Sequence, residues 1–484
     1  MCTRSGRACQ GYAAPPDRRT REVRDARTAK ANGGALNIVH VGQQQAQSAG
    51  LIYVPDGSQI GLSRIERDYL YSFRSYTASQ CAGYNFDPFW QVLVHQVIES
   101  CPGVRHAAIG IGALHRKFAD PTSSRNDIFP IRQSAKAISC LRKAMLSDDQ
   151  SDPSATERVL VACIVLVTFA IFQGDFDAVR CHLQAGSRLL LEWRKKNAKT
   201  SVVAPVLLHT FVQLHIHWVS VTRLEDYKGG DHPYVQELFQ DNLIDISAYG
   251  DELSKATMTA SIQGWSLMLS DPISFDPQTT NLSKGYSWDS PANKIHRWKT
   301  QVADCLALHR ENASPEKLRT FLLLQIQIDQ HEIIISSTTF SGRETDWDIL
   351  LPRFQGVADK IELLLSSFVD LPDPLFSVKE GILATLMFCG LKCRDWSVRQ
   401  KVLNICRKYD RREGVFTSAE ATLMLQRIYE IESAGISPGE HIPESARVNT
   451  VHIAEHPNIA KFNPKTHLKY RDYDGNWYSE WLSP

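Results

Sequence analysis

The sequence predicts an all-α fold: a large multi-helix body behind a disordered basic linker. Three observations carry this. From about residue 62 onward, apolar residues recur at a spacing of three and four, the period of a helix with one buried face. No stretch shows a run of alternating strands joined by hairpin turns. Breakers and capping residues fall where the helical periods stop, as at Pro102-Gly103 and Gly174-Asp175.

Size and composition fit such a body. The chain has 484 residues, 43% hydrophobic and 22% charged, which is ordinary globular composition with ample length for a core. With 54 basic and 53 acidic residues the formal charge is +1, so the overall balance does not point to nucleic acid. Its distribution is uneven. Residues 1–34 hold Arg4, Arg7, Arg18, Arg19, Arg21, Arg24, Arg27 and Lys30 against Asp17, Glu22 and Asp25, a local charge of +5. Pro15-Pro16 and Gly33-Gly34 bracket the densest part, and Gln43 to Ser48 is polar and low in complexity. Residues 13–59 therefore read as a basic and polar linker that cannot bury enough apolar surface to fold. Met1 to Gln10 lacks the apolar segment of a secretory signal. The 11 cysteines, several of them inside apolar helical patterns (Cys163, Cys305, Cys389), suit free thiols in a reducing compartment. The longest apolar run, Val159 to Phe172, is shorter than the roughly 20 residues a bilayer span needs. No membrane partner is expected.

The elements follow in order. Phe89 to Ile98 is helical by period; after Pro102-Gly103 a second helix runs from Val104 to Lys117. Ser154-x-x-Glu157 has the form of a capping box and opens a long apolar helix to Phe172. Gly174-Asp175 ends it, and Asp177 to Lys196 returns as an antiparallel partner. Further helices are expected over 202–226, 253–270, 292–311, 314–337, 348–368, 376–391, 396–409 and 418–434, the last opened by Thr417-x-x-Glu420. Residues 272–290 and 435–484 read as loops, the latter ending in an aromatic tail, Tyr470 to Leu482, expected to dock on the body or on a partner.

Two regions carry a resemblance. Cys2-Thr-Arg4-Ser-Gly-Arg7-Ala-Cys9-Gln-Gly11-Tyr12 resembles the end of the fungal zinc binuclear cluster, C-x2-C-x6-C twice over, whose last two cysteines often enclose an RSGR-like segment. Downstream, Phe86-Asp87-Pro88-Phe89-Trp90 and Val104-Arg-His106-Ala-Ala-Ile-Gly110-Ile-Gly112-Ala-Leu-His115 are similar to the start of that family's regulatory region. Val159 to Ala178, His182-Leu-Gln-Ala-Gly186 and Arg411-Arg412-Glu413-Gly414-Val415-Phe416 resemble its later blocks, in the family's order. The resemblance spans residues 1–12 and 70–434. It implies a zinc-cluster remnant at 1–12, an all-α fungal transcription factor regulatory region at 60–434, and a nuclear transcription regulator that is not an enzyme. It also implies Cys2 and Cys9 as terminal ligands of one zinc ion. Arg4, Arg7, Arg18, Arg19 and Arg21 are then candidate contacts to DNA phosphate. DNA, the transcription machinery and a second copy of the chain are the implied partners. The sequence starts one residue before the fifth cysteine of the pattern, so weak, salt-sensitive, sequence-independent DNA binding is expected of this chain.

Other motifs rank lower. A helical interaction protein that has lost DNA binding is the first alternative. Asp148-Asp149-Gln150-Ser151-Asp152 spells the DDxxD of all-α terpene synthases, whose carboxylates hold Mg²⁺, but the second ligand set is missing. His209, His215 and His217 lack zincin spacing, and Cys389-x3-Cys393 has no second pair. His106, His115 and His182 read as packing histidines. Gly110, Gly112 and Gly186 read as close-approach points, and Arg412 and Glu413 as helix caps or buried ion partners.

Two thiolates fill half of a tetrahedral zinc shell. Metal analysis of the purified 484-residue chain should therefore find well under one zinc per chain. Two tightly held ions would contradict this assignment.

Overall fold

The computed structural model describes residues 61–84, 87–120, 128–147, 153–197, 201, 203–221, 291–309, 314–368, 375–379, 381–414, 416–453 and 466–483. Helices dominate them, as the sequence predicts. The N-terminal part comprises α1 (Arg64–Ser72), a π-helical turn (Phe73–Thr77), α2 (Ala78–Cys81), a second π-helical turn (Phe89–Leu93), α3 (Val94–Ser100), α4 (Pro102–Ala119), α5 (Ile128–Ser147), α6 (Pro153–Gln173), α7 (Phe176–Asn197) and α8 (Ala204–Val221). The C-terminal part comprises α9 (Pro291–His309), α10 (Pro315–Ser336), α11 (Leu351–Ser366), α12 (Leu383–Lys392), α13 (Trp396–Lys408) and α14 (Ser418–Glu432).

Helix α6 is the centre of the first part. It is apolar all round, which a helix tolerates only when every side is covered. It packs against α3, α4, α5, α7 and α8. Leu160, Val161, Ile164, Val165 and Val167 are completely buried. Each such side chain contributes about 1.5–3 kcal/mol of apolar burial. By length and composition alone α6 could cross a membrane; here its surface is spent on the protein core.

The α6–α7 connector is two residues long because each does a capping job. Gly174 takes a positive φ of 66°, its amide donating to Ile171 O (3.0 Å) while Asp175 N donates to Ala170 O (3.0 Å). This pair of bonds satisfies two of the orphan carbonyls of α6. The Asp175 carboxylate then accepts from Ala178 N (3.0 Å), capping α7.

Close approach of α4 to its neighbours depends on glycine. A Cβ on Gly112 would run into the Tyr69 carbonyl oxygen of α1, and one on Gly110 would sit 2.8 Å from the Phe169 ring of α6. Gly186 of α7 does the same against Phe211 of α8 (2.6 Å). At the edge of this packing, Glu66 completes a capping box with Ser63 and also accepts from Gln133 (2.8 Å) and Lys136 (2.7 Å), pinning α5 to α1.

The C-terminal part has its own core, centred on Phe354, Ile361, Leu386, Met424 and Leu425. Its helices begin at Ser314 with Pro315, at Asp395, and at the expected Thr417–Glu420 capping box. A smaller cluster joins α9 and α10 around Trp298 and Phe321.

The structure corrects three expectations. The helix expected over 376–391 is instead a strand, β1 (Leu375–Ser377), followed by α12 from Leu383. The stretch between the helices expected at 396–409 and 418–434 is not a plain connector: β2 (Arg411–Glu413) pairs parallel with β1 and antiparallel with β3 (Phe416–Thr417). The loop expected over 435–484 holds a meander of β4 (Thr450–Ile453), β5 (Thr466–Arg471) and β6 (Trp477–Leu482). Asp474-Gly475 between aromatic runs was a legible hairpin signal for its last turn, where Gly475 has φ 87°. The helix expected over 253–270, the loop over 272–290 and the Asp148–Asp152 acids lie outside the described residues.

Leu166, 6% exposed, lies on α6 within this packing. Leu166→Asp should destabilise the body by several kcal/mol, because an unpaired carboxylate would enter an apolar setting. Chemical denaturation checks this; an equally stable variant would mean that α6 is not a core helix.

Candidate functional site: the buried joint at Arg411–Gly414

Cys2, Cys9, Arg4, Arg7, Arg18, Arg19 and Arg21 lie outside the described residues. Among the described residues, no group of three or more His, Cys, Asp or Glu is placed to hold a metal ion. Cys389 and Cys393 are buried free thiols, and burial pushes the Cys393 thiol up to about 11, away from the reactive thiolate.

What the structure does bring together is a charged joint around the Arg411–Gly414 segment. A strand sends successive side chains to opposite faces. On one side, Arg412 reaches the end of α6, donating to Ile171 O (2.6 Å) and Phe172 O (3.3 Å). These are two of the carbonyls that α6 leaves without intrahelical partners, at the negative end of its dipole. On the other side, Glu413 accepts from Gly381 N (3.1 Å), Ile382 N (3.1 Å) and Leu383 N (2.8 Å), at the positive end of α12. Gly381 is required there, since a Cβ would meet the carboxylate at 2.5 Å. Arg411 donates to the Tyr84 hydroxyl beside α2 and lies 3.5 Å from Glu413. Gly414, at φ 58°, passes directly under the His217 ring of α8 and donates to Ser377 O (2.7 Å).

Aromatic stacking and two further polar links close the joint. Phe172 of α6 stacks on Phe376 of β1 at 3.7 Å and 21°. Gln80 Oε1 accepts from Phe376 N (2.8 Å) and lies 3.1 Å from His115 Nε2, whose Nδ1 lies 2.9 Å from the Thr77 hydroxyl. With Gln80 oxygen as acceptor, His115 is the Nε2–H tautomer and Thr77 donates. Asp87 caps the turn at Phe89 (2.7 Å) and pairs with Lys379, which follows β1. Burial pushes the Asp87 carboxyl up, but Lys379 more than reverses this and holds it low.

A second cluster lies inside the C-terminal part. Glu344 accepts from Lys392 and Arg394, both at 2.7 Å. Arg394 also bonds Glu432 (2.9 Å) and Val448 O (2.9 Å), and Arg399 pairs with the other Glu432 oxygen. Arg447, almost fully buried, grips Asp348 with both nitrogens (2.7 and 2.6 Å). Burial acts to raise the Glu432 carboxyl, and the two guanidiniums overturn that and keep it ionised. Such pairs cost desolvation energy but fix a unique arrangement once every partner is in place.

The sequence signalled part of this. Arg412 and Glu413 were read as cap or ion-pair candidates and are caps. His106 bonds Gln133 (2.8 Å), His115 bonds Thr77 and Gln80, and His215 bonds Ser187 (2.7 Å), as packing histidines do. Tyr84, Asp87, Glu344 and Glu432 carried no local signal. Chemically, the joint is suited to holding two helical parts in register; its side chains form neither a nucleophile–base pair nor an open polar cleft. An open groove of ≈ 660 Å³ lies separately between α9, α10 and α11, lined by Ile295, Lys299, Glu332 and Arg353 among others.

Residues 69–271 match the family model of the fungal specific transcription factor domain. Comparison with curated proteins and with solved structures gives no match.

Burial makes the joint acid-sensitive. It presses His115, His209 and His217 down to about 4, so all three stay neutral in the folded protein. The unfolded chain binds protons at ordinary histidine values, near 6.5, and the folded chain resists them to about 4. Their stabilising effect is thus complete above about pH 6.5 and is lost progressively as pH falls towards about 4. Calorimetry should show the melting temperature dropping by several degrees between about pH 7 and about pH 5. A flat profile would contradict the buried neutral histidines.

Proposed function

We propose that this chain is a fungal transcription regulator of the zinc-cluster class, its helical body being the part that controls output. The observation that carries the reading is the match of residues 69–271 to the fungal specific transcription factor domain. The ordered sequence blocks support it, and they extend past the match to the Arg411–Phe416 segment. The structure gives that segment a job the motif alone does not explain: Arg412 and Glu413 clamp the α6 end and the α12 start together. A regulatory body works by holding one arrangement until a partner biases it, and a joint of fully partnered charges suits that.

In this reading the N-terminal segment reaches DNA. Arg4, Arg7, Arg18, Arg19 and Arg21 contact phosphate, which contributes affinity without sequence choice. Zinc, held in part by Cys2 and Cys9, would order the base-reading element of an intact cluster. Those two thiolates are half of a tetrahedral ligand set. This chain's own part in that reading is phosphate contact by arginine and control by the body. The protein acts in the nucleus, alone or as a homodimer, on the transcription machinery.

The test joins the full chain to an unrelated DNA-binding domain in a fungal cell carrying a reporter. A several-fold change in reporter output, up or down, is expected. An expressed, nuclear fusion that leaves output at the level of the DNA-binding domain alone would overturn the proposal.

A further inference from the structure

The outer face of the C-terminal meander brings exposed indoles and basic side chains together. β5 and β6 pair antiparallel, with His467 opposite Trp481, Lys469 opposite Ser479 and Arg471 opposite Trp477. These six share one face, because strand side chains alternate. Most of the alternate set points inward, with Tyr478, opposite Tyr470 and 45% exposed, the exception. Leu468 is completely buried, Tyr470 and Leu482 pack on the C-terminal core, and Glu480 accepts from Arg427 of α14 (2.9 Å). Of the outward set, Trp477 and Trp481 are 44% and 49% exposed, and His467, Lys469 and Arg471 are half-buried beside them.

Cations interleave with these indoles. Lys469 Nζ lies 4.9 Å and Arg471 Cζ 5.9 Å from the Trp477 ring centre. His467 stacks on Trp481 at 4.5 Å and 26°, and its Nε2 lies 2.6 Å from the Ser479 hydroxyl. The only carboxylate within β5 and β6, Glu480, faces inward and is neutralised by Arg427. The two indoles are four residues apart on one strand, roughly 13 Å, with Lys469 and Ser479 between them.

We propose that this face binds single-stranded nucleic acid, its bases stacking on Trp477 and Trp481 and its phosphates pairing with Lys469 and Arg471. Every base has a π-face and every linkage an anion, so alternating indoles and cations on a flat sheet match such a strand in both respects. A duplex would offer only its phosphates, since its bases are stacked on one another. An acidic peptide would satisfy the cations and leave the indole faces uncovered. This inference does not rest on the regulator reading, and it places nucleic-acid contact at the opposite end of the sequence from the arginine-rich segment.

Fluorescence anisotropy on the full chain tests it, with labelled oligo(dT), oligo(U) and a DNA duplex of equal length. Both single strands should bind more tightly than the duplex and quench tryptophan emission; the tighter of the two identifies DNA or RNA as the source. The double variant Trp477→Ala, Trp481→Ala should weaken single-strand binding roughly tenfold or more. Duplex binding, which engages phosphates alone, should not change. Trp477→Phe, Trp481→Phe keeps the rings and should retain most of the affinity, which separates lost stacking from lost folding. Equal affinity for single strand and duplex, or an alanine variant that binds oligo(dT) and oligo(U) as the wild type does, would overturn the proposal. So would sedimentation showing that the alanine pair dissociates a self-associated form while oligonucleotide binding persists, since the face would then be a protein interface.

Discussion

Adjacent residues on a strand cannot point the same way, and the joint of this protein is built on that constraint. Arg412 and Glu413 are neighbours on β2, so they leave the strand on opposite faces. One finds the carbonyl end of α6 and the other the amide end of α12. Each charge has the sign that its helix end attracts. Neither cap could be moved by one position without sending the wrong charge to the wrong dipole. These two side chains tie the α6 core and the α12–α14 core together, alongside the Arg411–Tyr84, Asp87–Lys379 and Gln80–Phe376 links. Phe172 on Phe376 and Gly414 beneath His217 then fill the space that the caps define.

Around this joint the protein accepts buried charge to an unusual degree. Glu344, Arg394, Arg399, Arg411, Glu413, Glu432 and Arg447 are all almost wholly out of water. Isolated, any of them would be severely destabilising; partnered, they are tolerable and highly directional. Apolar packing of equal volume would hold the helices together but would allow them to slide. Glu432 takes two guanidiniums and the Val448 amide at once, a demand that one arrangement of α12, α13 and α14 meets.

Rigidity inside contrasts with open chemistry outside. The interior histidines and thiols are pressed towards their neutral forms and kept from solvent. Exposed indoles lie instead on the C-terminal sheet beside half-buried basic side chains, where β5 packs on α14 and so inherits the same framework. A recognition face presented on strands anchored this way is held in a fixed spacing, which a free aromatic tail could not provide.

The sequence by itself determined the all-α class, the central α6–α7 hairpin, the stop at Gly174-Asp175, the Thr417–Glu420 cap and the close-approach glycines of α4 and α7. Apart from the glycines, whose neighbours Tyr69, Phe169 and Phe211 are distant in sequence, these depend on residues within about a turn or two of one another, where periodicity and capping chemistry speak directly. Even there one signal was passed over, the Asp474-Gly475 turn that closes the β5–β6 hairpin. Tertiary structure alone decided the rest. Glu413 caps a helix that starts 30 residues earlier, Arg412 one that ends 240 residues earlier, and Tyr84 meets Arg411 across 327. β1 is a strand because β2 lies beside it, and its three residues, Leu-Phe-Ser, carry no period of their own. A charge in a sequence can be read as a cap or a partner; which helix it serves is fixed only when the chain brings an unsatisfied end within hydrogen-bond reach.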